Sequence, residues 1–287
     1  MGIKDYFITK LRRVTGIIDV LEGIDLLLRD QKRESTQNLL KKIQPGAILK
    51  CRINRMPILA PIETLQVYQH CLEPLKEETL NFWIETHCAD WLCSKIDYGD
   101  IILDVGAAFG VITLPMTQAI GKKGHIYAFE PARKTQKFLQ QIIDLNQIKN
   151  VTIVQSAISE EPGQAEFIEY TPNQDLFWAS DVSTLSTPDT NLNREHESYW
   201  VNVTTIDDYV ATHNLEPKAI KIDIEGFELY ALYGAKTTLD KYSPYLSIDI
   251  HEDVKTGKSA LLGVKPFLES LGYTMEMYEH TLLCTPK

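Results

Sequence analysis

From residue 98 onward, short apolar runs alternate with longer stretches whose apolar positions recur at helical spacing. The runs fall at residues 101–105, 125–130, 151–155, 219–224 and 245–250, and helical patterns begin at Val111 and cover 133–146, 227–239 and 259–271. Runs of this kind are strands buried on both faces, and their alternation with helices builds a parallel sheet covered on both sides. A long irregular, partly β segment, with strand-like tracts at 165–170 and 200–204, separates the third run from the fourth. Two closing strands, 273–278 and 281–285, meet at a short turn after the last helix. This predicts an α/β fold with a seven-stranded, mostly parallel sheet ending in an antiparallel hairpin.

Upstream the pattern differs. Residues 5–43 predict one or two amphipathic helices, with Val14, Ile17, Leu21, Ile24 and Leu28 at 3-4-3-4 spacing. Two heptads are too short to hold a helix alone, so the stripe is expected to dock on its own domain, to join a second copy as a homodimer contact, or to lie on a membrane surface. Around Pro57 and Pro61 the pattern breaks into short strands and turns, and helix returns over 77–94. The chain is divided accordingly into an N-terminal helical or cap segment, 1–75, and a main domain, 76–287.

Composition narrows the class. The 287 residues are 44% hydrophobic and 24% charged, with a net charge of −10. Such a balance disfavours a broad basic face for nucleic acid or anionic membrane. The basic residues Lys10, Arg12, Arg13, Arg29, Lys32, Arg33, Lys41 and Lys42 are interleaved with acids, as on a solvated helix face. No signal peptide is visible, and no apolar run reaches the roughly 18–20 residues of a membrane span. The five cysteines are odd in number and form no C-x-x-C pair, which fits reduced thiols in the cytoplasm rather than a disulfide or zinc scaffold. His70-Cys71 and His87-Cys88 read as helix-packing positions.

Ligands of open α/β sheets bind at the carboxyl ends of the strands. The first βα junction reads Asp104-Val105-Gly106-Ala107-Ala108-Phe109-Gly110. It is not the G-x-G-x-x-G dinucleotide fingerprint. An acid, one residue and a glycine is instead the opening of an S-adenosylmethionine (AdoMet) site, with Asp104 toward the ligand ammonium and Gly106, Ala107 and Gly110 in the turn. The second strand ends in Glu130-Pro131, 26 residues after Asp104, where a carboxylate can accept both ribose hydroxyls. Ser156 and Ala157 close the third strand with room for an adenine edge. In residues 221–225 and 247–252 charged side chains alternate with isoleucine, although strands buried on both faces should be apolar. Buried charges pair or line a cleft. Lys221, Asp223, Glu225, Asp249 and His251 are therefore expected round one cavity.

These tracts resemble the FkbM-type methyltransferases. Residues 99–110 are similar to their "pGd-hydrophobic-DVGAN-x-G" opening, Phe129-Glu130-Pro131 to their second motif, and 204–209 to "T-x-L-D-D". Lys221-Ile222-Asp223-Ile224-Glu225-Gly226-Phe227-Glu228 resembles their "KIDVEGxE" signature, and 246–251 their strand ending "hEih". The resemblance covers about 98–285. It implies a class I AdoMet fold and methylation of hydroxyls on sugars, polyketides or related natural products. Asp104, Gly106, Gly110 and Glu130 would hold AdoMet, with Asp223 and Glu225 near the transferred methyl. Two positions depart from the pattern: the usual Asn is Ala108, and the usual Glu of the fifth strand is Asp249, one methylene shorter.

The expected activity is AdoMet-dependent O-methyl transfer to a small-molecule acceptor, leaving S-adenosylhomocysteine. Such a reaction needs alignment, exclusion of water and a base for the hydroxyl proton. His251 is the first candidate base. Asp223 would orient it or act directly, and Lys221 would hold the substrate oxygen or an adjacent carboxylate. Asp223, Glu225 and Asp249 could instead carry Mg²⁺ to acidify the hydroxyl, but a metal-free site is favoured. Carboxyl methylation, NAD oxidoreduction and a catalytically silent AdoMet-fold assembly partner are the alternatives.

Overall fold

The computed structural model describes residues 37–38, 40–72, 80–170, 185 and 195–287. The amphipathic stripe at Val14–Leu28 lies outside the described residues, as does nearly all of 171–194. The described chain opens with β1 (Ile48–Ile53) and β2 (Met56–Pro61), an antiparallel hairpin that Asn54 and Arg55 turn in left-handed conformation. Short helix α1 (Ile62–Val67) follows, then β3 (Leu80–Phe82) and α2 (Thr86–Lys95). Residues 80–82 were expected to be helical. They form a strand because they pair in parallel with β1, Cys51 opposite Leu80, which closes a three-stranded sheet. Tertiary pairing overrides local periodicity there.

The main sheet is built from β4 (Ile101–Val105), β5 (His125–Phe129), β6 (Val151–Val154), β10 (Pro217–Ile222), β11 (Tyr245–Asp249), β12 (Thr274–Tyr278) and β13 (Thr281–Thr285). Their order is β12-β13-β11-β10-β4-β5-β6. All pairings are parallel except those of β13, which runs antiparallel to both β11 and β12. That order, with its single reversed strand, is the sheet of the class I AdoMet methyltransferases. Between β6 and β10 the irregular segment forms β7 (Ser156–Ile158), β8 (Gly163–Tyr170) and β9 (His196–Thr204), a separate sheet in the order β7-β9-β8.

Helices α3 (Thr113–Ile120), α4 (Arg133–Leu145), α5 (Ile206–His213), α6 (Glu228–Tyr233), α7 (Lys236–Tyr242) and α8 (Leu261–Ser270) cover the sheet. In α4 the buried positions Thr135, Gln136, Leu139, Ile142 and Ile143 make one stripe, apolar from Leu139 onward. Thr205 caps α5 by accepting from the Asp208 amide. The single helix expected over 227–239 is broken into α6 and α7 at Gly234-Ala235. A Cβ on Gly234 would lie 2.3 Å from the Ser159 carbonyl oxygen, so close backbone packing interrupts the helix there. The core under β1–β3 is continuous with that of α2 and α3, from Leu40 and Ile53 through Leu92 to Leu114 and Ile126. At the far edge, Asn146 both donates to and accepts from the backbone of Leu59 in β2.

Two turns come together at the carboxyl edge of the sheet. Gly106 follows β4 at φ +78°, and a Cβ there would stand 1.8 Å from the Asp223 carbonyl oxygen, just past β10. Only glycine fits both the left-handed conformation and the contact. Gly106→Ala is expected to cost roughly 2–4 kcal/mol of stability through strain and overpacking, measured as a lowered denaturant midpoint.

Candidate active site

One cavity opens at this edge. It is walled by the β4 turn (Gly106–Ala108), Glu130 after β5, Ser156 and Ala157 in β7, and Asp223 and Glu225 after β10. Lys221, Asp249 and His251 also line it, joined by Glu85, Tyr68 and His280. Ten of the twelve anticipated site residues are therefore brought together; Asp104 and Gly110 are not on the wall.

Asp104 was expected to face a ligand ammonium. It lies instead beneath the wall, 0% exposed, where it accepts from the Thr113 hydroxyl and stands 3.8 Å from the Lys221 ammonium. Burial raises its pKa against the pull of Lys221. Gly110 turns the chain into α3 at φ +80°, and its missing Cβ leaves room for Leu139. Ser156 and Ala157 belong to β7 and pair with Asn202 and Val203, rather than ending the third strand of the main sheet.

Glu130 is suited to a ribose. Its two carboxylate oxygens accept from the Ala108 and Ala132 amides, 2.8 Å each, and burial raises its pKa to about 7 despite those bonds. An ionised carboxylate has roughly four lone-pair sites, so two remain for hydroxyl donors. Ala108, in the place of the usual Asn, holds φ +46°. Asparagine tolerates the left-handed region and alanine does not.

The opposite wall is acidic. β10 ends at Ile222, and the Asp223 amide bonds back to the Val105 carbonyl, so Asp223 and Glu225 stand in a loop rather than continuing the strand. Glu225 itself has φ +53°. The Lys221 ammonium donates to the Gly106 carbonyl at 2.7 Å and lies 3.3 Å from Asp223. Of its two expected roles, substrate oxygen or adjacent carboxylate, it fills the second, with its side chain only 6% exposed. Burial alone would lower its pKa, but Asp223, Asp104, Glu85 and Asp249 reverse this and raise it. Burial likewise pushes Asp223 up, and Lys221 and His251 more than reverse it, leaving its pKa lowered.

His251 is oriented by a residue that sequence reasoning assigned no role. Glu228, with a fully buried side chain, lies 3.0 Å from His251 Nδ1, while Nε2 points to Asp223 and Glu225 at 3.8 Å each. Burial opposes the charged form of His251, but Glu228, then Glu225 and Asp223, raise its pKa to about 10. The same three carboxylates favour its imidazolium form, so it is better placed to hold a neighbouring carboxylate than to take a proton. Burial raises the neighbouring Glu225 to about 7. Asp249 accepts from Thr281 and stands 3.2 Å from His280 Nε2. Two carboxylate groupings, Asp223-Glu225-His251 and Glu85-Asp223-Asp249, bring ligand-type atoms within 4.8 Å of one another. Lys221 already places a cation beside both.

Elsewhere, His87 stacks on Tyr278 and Cys88 lies 3.0 Å from the Ser247 hydroxyl, packing contacts in both cases. Among the described residues no helix is long and apolar enough to cross a membrane.

The sheet order, with the cavity at its carboxyl edge, is that of the class I AdoMet methyltransferase fold. Residues 104–275 match the methyltransferase FkbM domain, and the chain belongs to that family. No curated protein matches the chain. Among solved structures, a methyltransferase FkbM from Methylobacillus flagellatus is 20% identical, covering 66% of this chain and 44% of its own, at a TM-score of 0.47. The chain thus spans less than half the length of that protein. Fibrillarin from Aeropyrum pernix, in complex with natively bound S-adenosyl-L-methionine, is 14% identical over 86% of each chain, at a TM-score of 0.41.

Two outcomes are expected. Ala108→Asn should relieve left-handed strain and stabilise the protein by roughly 1 kcal/mol, read from thermal melts. Glu85, Glu130 and Glu225 bind protons more tightly folded than unfolded, with pKa values raised from 4.5 to about 8, 7 and 7, and His251 from 6.5 to about 10. The raised carboxyls make stability fall as pH climbs above 4.5, and the His251 contribution is lost between 6.5 and 10. The lowered pKa of His125 acts weakly the other way. The denaturant midpoint of the ligand-free protein should therefore decline from pH 5 to pH 10, and His251→Ala should flatten the upper part of that decline.

Proposed function

We propose that the protein transfers a methyl group from AdoMet to a hydroxyl of a small molecule such as a sugar, glycoside, polyketide or peptide natural product. The observation that carries this reading is the division of one cavity into two walls. Glu130, the Gly106–Ala108 turn, Ser156 and Ala157 form the wall suited to the adenosine; Asp223, Glu225, Asp249 and His251 form the other. When bound, AdoMet supplies a methyl group on a positively charged sulfur, and an acidic wall favours that charge.

Glu225 is the proposed proton acceptor, because its pKa of about 7 matches work at neutral pH. The acceptor hydroxyl would give its proton to the Glu225 carboxylate. The His251 imidazolium, held by Glu228, keeps that carboxylate oriented and draws charge toward it. Asp223, kept ionised by Lys221, would receive a hydrogen bond from a neighbouring hydroxyl of the acceptor. Lys221 already neutralises charge beside these carboxylates, which supports a metal-free reaction. Tyr68, from the first 75 residues, lines the cavity, and this supports reading that segment as a cap over the acceptor side.

Calorimetry with S-adenosylhomocysteine tests the first half: Glu130→Ala should weaken binding by about 1–3 kcal/mol, as for a lost charged hydrogen bond. A wild-type protein that binds neither AdoMet nor its product sinks the reading. With an acceptor found by methyl-transfer assay across sugar and natural-product panels, kcat/KM should rise through about pH 7 and fall near pH 10, as Glu225 and then His251 lose their protons. Glu225→Gln and His251→Ala should each lower kcat about 10²-fold, with activity surviving EDTA. Activity abolished by EDTA and restored by Mg²⁺ would show a metal-assisted reaction instead.

A further inference from the structure

Glu85 precedes the span that matches the FkbM domain, in a stretch whose sequence carries no chemical signature. Its backbone is left-handed, φ +44° and ψ 40°, at the N-cap of α2. A glutamate there is strained. Surrounding structure enforces it. Asn54, itself buried and left-handed, donates to the Ile84 carbonyl at 2.6 Å, accepts from the Ile84 amide at 2.9 Å, and accepts from the Thr86 hydroxyl at 3.2 Å. The residues on either side of Glu85 are thereby clamped from the β1–β2 turn.

An acid at an N-cap ordinarily accepts from the amides of its own helix. Glu85 makes no such bond. Its carboxyl lines the cavity instead, with an oxygen within 4.8 Å of Asp223 and Asp249. The groups facing it are Asp223, Lys221, Asp249 and Asp104, from β10, β11 and β4 or the loops that follow them. Burial and then Asp223 raise its pKa to about 8, with Lys221 acting against them. The chain thus carries a strained backbone, a dedicated clamp and a desolvated carboxyl aimed across the cavity at the loop that bears Asp223.

We propose that Glu85 is an acceptor-side residue of the active site, placed by the β1–β3 unit so that its carboxyl faces the reacting methyl group together with Asp223 and Asp249 and binds the acceptor atom. The proposal rests on the methyltransferase reading above. It makes the β1–β3 unit part of the site and not merely a support for the main sheet.

The test needs no knowledge of the acceptor. Sinefungin is an AdoMet analogue with an amine where the sulfonium carries its methyl; S-adenosylhomocysteine has nothing there. Binding of both to wild type, Glu85→Gln and Glu85→Asp should be measured by calorimetry in buffers of differing ionisation enthalpy. Wild type is expected to release more protons on binding sinefungin than on binding S-adenosylhomocysteine, because the incoming ammonium ionises Glu85. Glu85→Gln should weaken sinefungin about tenfold, abolish the excess proton release, and leave S-adenosylhomocysteine within about twofold. Glu85→Asp tolerates the left-handed backbone and should lose part of the sinefungin affinity, which keeps the test available if Glu85→Gln fails to fold. Unchanged sinefungin affinity in the variants, or equal weakening of both ligands, would overturn the assignment. Failure of wild type to bind either ligand would instead overturn the methyltransferase reading.

Discussion

The buried ammonium of Lys221 holds the active edge of this protein together. A charge taken out of water must be paired closely or it is too costly to keep. Here it is paired on three sides, by Asp223, by Asp104 and by the Gly106 carbonyl. The carbonyl belongs to the turn after β4 and Asp223 to the turn after β10, so one side chain joins the two loops between which the cavity opens. The close approach of Gly106 to the Asp223 carbonyl follows from the same junction. Replacing Lys221 would take away the cation that lies between the Asp104 and Asp223 carboxyls.

The protonation of the site follows from this arrangement. Lys221 keeps Asp223 ionised, and Asp223 in turn helps to hold the proton on His251. Glu228 fixes the imidazole from the other side, so the histidine resembles a paired cation more than a free base. The carboxyls not directly served by Lys221, those of Glu85, Glu130 and Glu225, are pushed toward neutrality by burial. Carboxyl groups of one region are thus separated into an ionised Asp223 and members pushed toward neutrality by how far neighbouring cations offset the cost of burial. Such separation is how a site acquires groups able to exchange protons near pH 7.

Much of this was legible in the chain. Apolar runs alternating with helical patterns gave the strand and helix order of the main sheet, because a strand covered on both faces must be apolar and a covering helix must be striped. The charged positions among the isoleucines of 221–225 and 247–252 marked the cavity, since charge has no place in such strands without a partner. What the pattern of residues 77–94 implied was wrong at 80–82, where pairing with β1 decides the conformation. Glu228 stood within a quoted motif, yet nothing in the sequence says that an acid two residues past Gly226 turns back to a histidine.

The sequence by itself determined the class of fold, the family and the strand ends at which the chemistry sits, because these depend on periodicity and on residues close together in the chain. Only the tertiary structure decided which charges neighbour which. It turned Asp104 inward to Thr113 and Lys221, gave His251 its proton, and carried Glu85 across from the β1–β3 unit to face Asp223. Coulombic interaction and desolvation depend on distances through space and on burial, and neither is set by spacing along the chain.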